Sequence, residues 1–191
     1  LFGYMLFGEP SSQMNSILIA SFITVLTGTI DDIRPLKASV KFVSQIVTAL
    51  IIALYGKILI VDISAFGLYF ELGVFAYPVT IFFIIGCLNC INLIDGLDGL
   101  AAGISAIYFA TIGLISIIMG KMGLAFVLTF IMLGSVLGFL VHNFHPASIF
   151  AGDSGSLFMG LMIAIIALLG FKSVTLTSLL IPVLIFAIPI L

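Results

Sequence analysis

The chain has 191 residues, of which 63% are hydrophobic and only 7% are charged, and its mean hydropathy is +1.45. A soluble globular domain carries about 25% charged residues, so this composition excludes a protein covered by a water-facing surface. The net charge of −2 and the lack of any long basic run exclude an electrostatic nucleic-acid footprint, and no nucleic-acid partner is expected.

Apolar runs fall at 14–30, 40–60, 74–91, 100–119, 122–141, 155–171 and 176–191. A membrane-spanning helix needs about 20 such residues. Six runs are complete and the seventh is cut by Leu191. The expected fold is therefore all-α, a polytopic transmembrane bundle of six to seven helices forming one integral-membrane domain over 1–191. Starting at Leu1 and stopping inside an apolar run, the chain reads as a piece of a longer protein.

The breaks between the runs are short: 31–39, 62–73, 92–99, 120–121, 142–154 and 172–175. If each run crosses the membrane, the first, third and fifth breaks share one side. That side holds Asp31, Asp32, Asp95, Asp98 and Asp153, five of the eight acidic residues, from three loops far apart in sequence. Basic residues divide evenly, Arg34, Lys37 and Lys41 against Lys57, Lys121 and Lys172. The denser first cluster points to the acidic side as cytoplasmic.

The first acidic loop pairs Asp31 with Asp32. Adjacent carboxylates repel and need a cation, whether a metal or basic side chains such as Arg34 and Lys37. Before the second loop, Cys87 and Cys90 form a CxxC within an apolar run. Two thiols cannot complete a four-ligand zinc site, so they read as small packing residues. In the second loop Asn92, Asp95 and Asp98 are spaced i, i+3, i+6, which lines them on one face if the segment is helical. Their hard oxygens suit Mg2+, which prefers one or two carboxylates with phosphate oxygens and water. In the third loop Asp153 or Ser154 can cap the helix that follows. With Gly152 and Gly155 beside them, the same N–H groups could cradle a phosphate. His142 and His145 flank this loop and read as structural. Together the three loops fit a Mg2+–diphosphate site at a membrane surface.

On these residues the chain resembles the polyprenyl-phosphate N-acetylhexosamine-1-phosphate transferases, a glycosyltransferase family 4 type that includes the phospho-MurNAc-pentapeptide translocase. The matching motifs are Asp31-Asp32 with Pro35-Leu36-Lys37, then Asn92-Leu93-Ile94-Asp95-Gly96-Leu97-Asp98-Gly99, then Phe150-Ala151-Gly152-Asp153-Ser154-Gly155-Ser156. Ile94 and the run His145-Pro146-Ala147-Ser148-Ile149-Phe150 look like the N-acetylglucosamine branch. The resemblance implies an enzyme of the bacterial plasma membrane that moves a sugar 1-phosphate, GlcNAc-1-phosphate foremost, from a UDP-sugar to undecaprenyl phosphate and releases UMP. This is the first step of cell-wall or surface polysaccharide assembly. It implies Mg2+, with Mn2+ as a substitute, held by Asn92 and Asp153. Asp31 and Asp32 would receive or deprotonate the lipid phosphate, with its charge held by Lys37 or Lys41. Asp98 would help bind the nucleotide, Asp95 would support its loop, and Gly152, Ser154 and Gly155 would contact substrate. A homodimer is a further expectation, and the missing parts would be the first membrane helices and the C-terminal sugar-recognition loop. Pentapeptide-bearing sugar transfer by the same chemistry is the alternative. An ion-coupled transporter would need acids near the bilayer midplane. An intramembrane aspartyl protease would need two aspartates sharing a proton, and only Ala151-Gly152-Asp153 matches part of its GxGD motif.

Overall fold

The computed structural model describes residues 11–65, 68–170 and 173–175. The expected seventh segment, 176–191, lies outside them, as do Glu9 and Lys172. Six helices are long and apolar enough to cross a membrane. They are α1 Ser12–Ile33, α2 Ala38–Leu50, α3 Ala76–Ile94, α4 Leu100–Ile118, α5 Leu124–Asn143 and α6 Gly152–Gly170. A π-helical turn, Ile51–Tyr55, prolongs α2 to a spanning length. The expected bundle is thus present, and the six complete runs match the six helices one for one.

The break at 62–73 holds more than a loop. Here β1 Asp62–Ala65 pairs antiparallel with β2 Leu68–Glu71, and β3 Ser173–Thr175 joins β1 in parallel. A segment with β-branched and aromatic residues at 63, 69 and 70 suits strands. Because β1 follows α2 and β3 follows α6, this small sheet ties those two helices at one end of the bundle.

Helix α6 is the most buried span and packs chiefly on α3 and α1, while α4 and α5 pair with each other. Lipid tails are as apolar as leucine, so membrane helices associate through close backbone approach at small residues. Two glycines permit it. A Cβ at Gly160 would lie 2.7 Å from the Cys87 carbonyl oxygen on α3, and one at Gly28 would collide with the Ser154 backbone. Cys87 is buried and both cysteines are free thiols, in keeping with a packing role. Residues such as Phe22, Phe82, Ile107 and Val141 point outward from the bundle, as lipid-facing positions do. The α1 and α3 C-termini and the α6 N-terminus meet at the end away from the sheet. There the three acidic segments converge.

Candidate active site at the converging helix ends

Asp31 and Asp32 sit in the last turn of α1, not in the loop beyond it. A helix C-terminus carries partial negative charge and repels carboxylates, so each must find donors from elsewhere. Asp31 accepts the Leu36 backbone N–H at 2.7 Å and the Lys41 ammonium at 3.0 Å. Asp32 reaches another helix: its two oxygens accept the N–H groups of Asp153 at 2.7 Å and Ser154 at 3.1 Å. The negative end of α1 is thereby joined to the positive start of α6. Gly152 makes the approach possible, since its φ is +62° and a Cβ there would fall 2.8 Å from the Asp32 carboxylate oxygens.

The α6 N-terminus was expected to cradle a phosphate with Gly152, Ser154 and Gly155. Instead Asp32 takes the N–H groups of Asp153 and Ser154, and the Gly155 N–H bonds to the Ala151 carbonyl at 3.0 Å. A substrate phosphate would have to displace Asp32 or rely on other donors.

Asp153 is the hub. One oxygen pairs with Lys41 and the other accepts Asn92 Nδ2 at 2.9 Å. Asn92 also donates to Ser156 Oγ at 2.9 Å, and Ser156 in turn donates to the Gly152 carbonyl at 2.8 Å. Lys41, on α2, thus bridges the carboxylates of α1 and α6. Lys37 is exposed just before α2 and forms no ion pair among the described residues.

The second loop does not keep its three polar residues on one face. Helix α3 ends at Ile94, so Asn92 lies in its last turn and Asp95 is the residue that closes it. Asp98 turns away to the third loop, where it accepts the Ala147 N–H at 3.1 Å and pairs with His145 Nδ1 at 3.0 Å. These partners hold its carboxyl below the usual aspartate range, the backbone bond most strongly. Asn143 fastens the same two loops, accepting the Gly99 N–H at 3.1 Å and donating to the Ile149 carbonyl at 2.8 Å.

Asp95 is half-buried. Burial first, and then the charges of Asp153 and Asp32, push its carboxyl up to about 6. Since that exceeds the model-peptide value of 3.8, the fold favours the protonated form. The resulting stability is complete below about pH 4 and is lost as pH rises through about 6. Without divalent cation, Asp95→Asn should raise the melting temperature of the full-length parent protein at pH 7.5, and the gain should close at pH 4.5. An equal gain at both values would contradict this.

After burial, the charges of Asp153 and Asp32 contribute to the rise at Asp95; Lys41 pairs with Asp31 and Asp153, while Asp32 is held by backbone N–H groups. No three Asp, Glu, His or Cys residues could enclose a metal ion among the described residues. What the site offers is a partial seat, the Asp153 carboxylate with the Asn92 amide oxygen, which makes no hydrogen bond among the described residues. Mg2+ is commonly held that way, with phosphate oxygens and water completing its shell, so the donor set fits it.

Sequence reasoning missed three contributors. Ser156 and Asn143 are neutral residues whose importance comes from contacts 64 and 44 residues away in sequence. His145, taken as structural, pairs with a candidate site residue.

The model of glycosyl transferase family 4 matches residues 14–171. The chain is 46% identical over 181 residues to a probable undecaprenyl-phosphate N-acetylglucosaminyl 1-phosphate transferase of Bacillus subtilis (strain 168), covering 94% of this chain and 50% of that protein. It is 35% identical over 175 residues to the phospho-N-acetylmuramoyl-pentapeptide-transferase of Bacillus thuringiensis (strain Al Hakam), covering 85% of this chain and 54% of that protein. The chain therefore spans about half the length of the curated relatives it matches.

Proposed function

The chain belongs to glycosyl transferase family 4, and we propose that its parent protein transfers GlcNAc-1-phosphate from UDP-GlcNAc to undecaprenyl phosphate, releasing UMP, with Mg2+ as cofactor. The observation that supports this most is the joining of three loops at one end of the helices. Lys41 bridges Asp31 and Asp153, Asn92 binds Asp153, and Asp32 anchors the start of α6. Acids at helix ends suit a reaction between a soluble nucleotide and a lipid headgroup. A transporter would place them mid-helix.

An oxygen of the lipid phosphate attacks the β-phosphorus of the donor. The bond from that phosphorus to the bridging oxygen breaks, UMP leaves with the oxygen, and a lipid diphosphate sugar remains. Such a transfer asks the protein mainly for positioning and charge stabilisation. Bound Mg2+ would supply neutralisation of the diphosphate. Asp153 and Asn92 hold that cation, with Mn2+ able to replace it. Lys41 shares its charge between the carboxylates and the incoming phosphate, and Lys37 at the exposed rim helps to attract it. Asp31, held ionised by the Leu36 N–H and Lys41, receives the lipid phosphate by fixing Lys41 toward it. Asp98, with His145, borders the nucleotide, and Asp95 supports the turn between them. The single membrane domain works with its acidic end at the cytoplasmic face of the plasma membrane, where nucleotide sugars are made, and a homodimer is compatible with this arrangement.

The higher identity to the GlcNAc-1-phosphate transferase supports that donor over the pentapeptide-bearing one. Membranes carrying the full-length parent should transfer label from UDP-GlcNAc to undecaprenyl phosphate with Mg2+ and stop with EDTA. Transfer from UDP-MurNAc-pentapeptide alone would overturn the donor, and EDTA-resistant transfer would overturn the metal.

A further inference from the structure

Gln45 on α2 and Asn89 on α3 place two amides inside membrane-spanning lengths of helix. The amides pair reciprocally. Asn89 Nδ2 donates to Gln45 Oε1 at 2.8 Å, and Gln45 Nε2 donates to Asn89 Oδ1 at 3.2 Å. Asn89 Nδ2 also donates to the Ile85 carbonyl at 2.8 Å, which holds the side chain against its own helix. Gln45 is buried and Asn89 half-buried, where an amide without a partner is costly. Neither bonds to the carboxylate of Asp31, Asp32 or Asp153 among the described residues, so the site described above does not account for them.

Helical geometry puts this pair directly beneath the site. Gln45 follows Lys41 by four residues on α2, and Asn89 precedes Asn92 by three on α3, so each lies one turn deeper on the same face. Lys41 and Asn92 in turn hold the two oxygens of Asp153. Helices α2 and α3 are thus joined above through Asp153 and below by the amides. On its other side α2 is fastened to α1 by hydroxyls, Thr27 with Ser44 at 2.6 Å and Thr24 with Thr48 at 3.3 Å. Those bonds set where Lys41 meets Asp31. Among the described residues, the amide pair is the direct side-chain hydrogen bonding between α2 and α3.

We infer that Gln45 and Asn89 are positioning residues for the transfer proposed above, on which this reading rests. Their pairing sets the spacing of α2 and α3, so that Lys41 and Asn92 reach opposite oxygens of Asp153. Side-chain hydrogen bonds between membrane helices stabilise a bundle only modestly. A misplacement of about 1 Å at a reacting centre costs on the order of a hundredfold in rate. The pair therefore matters more to turnover than to stability.

The test uses the full-length parent in nanodiscs. Gln45→Leu strands the Asn89 amide and should lower kcat about tenfold or more, with KM for UDP-GlcNAc unchanged. Adding Asn89→Leu removes the stranded amide, so the melting temperature should recover while kcat stays low. Combining Gln45→Asn with Asn89→Gln exchanges the two amides at the same combined length and should restore most of kcat. Spacing is read separately, from dipolar broadening between nitroxides on Val40→Cys and Leu93→Cys, with every native cysteine replaced by alanine. Both positions are exposed, beside Lys41 and Asn92. The broadening should change in Gln45→Leu and in its double variant with Asn89→Leu, and return in the exchanged pair. Recovery of kcat together with melting temperature in that double variant would show that the pair serves the fold alone. Unchanged broadening there would equally overturn the proposal. If the unsubstituted parent transferred no sugar phosphate from any UDP-sugar, yet the broadening shifted as expected, the reaction would fall and the spacing role would stand.

Discussion

Asp153→Asn is expected to reduce transfer by about a thousandfold or more, equivalent to about 4 kcal/mol of transition-state stabilisation, while the protein remains folded. Asp153 bonds to partners on both α2 and α3, through Lys41 and Asn92. It also stands at the second position of α6, where a negative charge is favoured by the helix dipole. The substitution keeps size and shape, and the asparagine oxygen can still accept the Asn92 amide. What it removes is charge, needed both to hold a divalent cation and to pair with Lys41. Steady-state transfer rates beside melting curves separate the two effects. Activity within tenfold of wild type would show that Asp153 serves the fold alone.

The second large effect is expected at Asp32. Asp32→Ala removes the acceptor of two α6 N–H groups and should cost about 1–2 kcal/mol of stability, as loss of a helix cap does. Because the start of α6 carries Asp153, transfer should fall by about a hundredfold or more as the carboxylate shifts, the scale of an ångström's misplacement. Asp32→Asn distinguishes positioning from proton transfer. An asparagine oxygen can accept one of the two N–H groups, so a purely positioning Asp32 should regain much of both stability and activity. If Asp32→Asn regained stability yet stayed as inactive as Asp32→Ala, Asp32 would be exchanging a proton with substrate. The engagement of both its oxygens favours the first outcome.

The helices were legible because a bilayer demands long apolar runs, and boundary errors stayed at two or three residues except in the second run, read to residue 60 where the span ends at Tyr55. Even those errors have causes. Helix α6 begins at Gly152, ahead of its apolar run, because Asp32 caps it from 121 residues away in sequence. No local signal carries such a contact. Likewise α1 runs on through Asp31 and Asp32, which look like loop residues until their donors on Leu36, Lys41 and α6 are known. The strands at 62–65 and 68–71 are short, and β1 completes its pairing with a segment more than 100 residues on.

The site's residue types were also readable, since Asp, Asn and Gly at three breaks on one side have no role in lipid packing. Their pairings were not. The i, i+3, i+6 spacing of Asn92, Asp95 and Asp98 suggests one face, yet the helix stops at Ile94 and sends Asp98 to His145.

The central claim is that a sugar leaves its donor with one phosphate attached. The most direct measurement supplies membranes of the full-length parent with undecaprenyl phosphate, Mg2+ and UDP-GlcNAc carrying 32P at the β-phosphate alone. Cleavage at the β-phosphorus predicts that the radiolabel enters the lipid phase in step with unlabelled UMP released to water. Radiolabelled UDP in the aqueous phase, with sugar but no 32P on the lipid, would mean that the glycosidic bond breaks instead and would contradict the account.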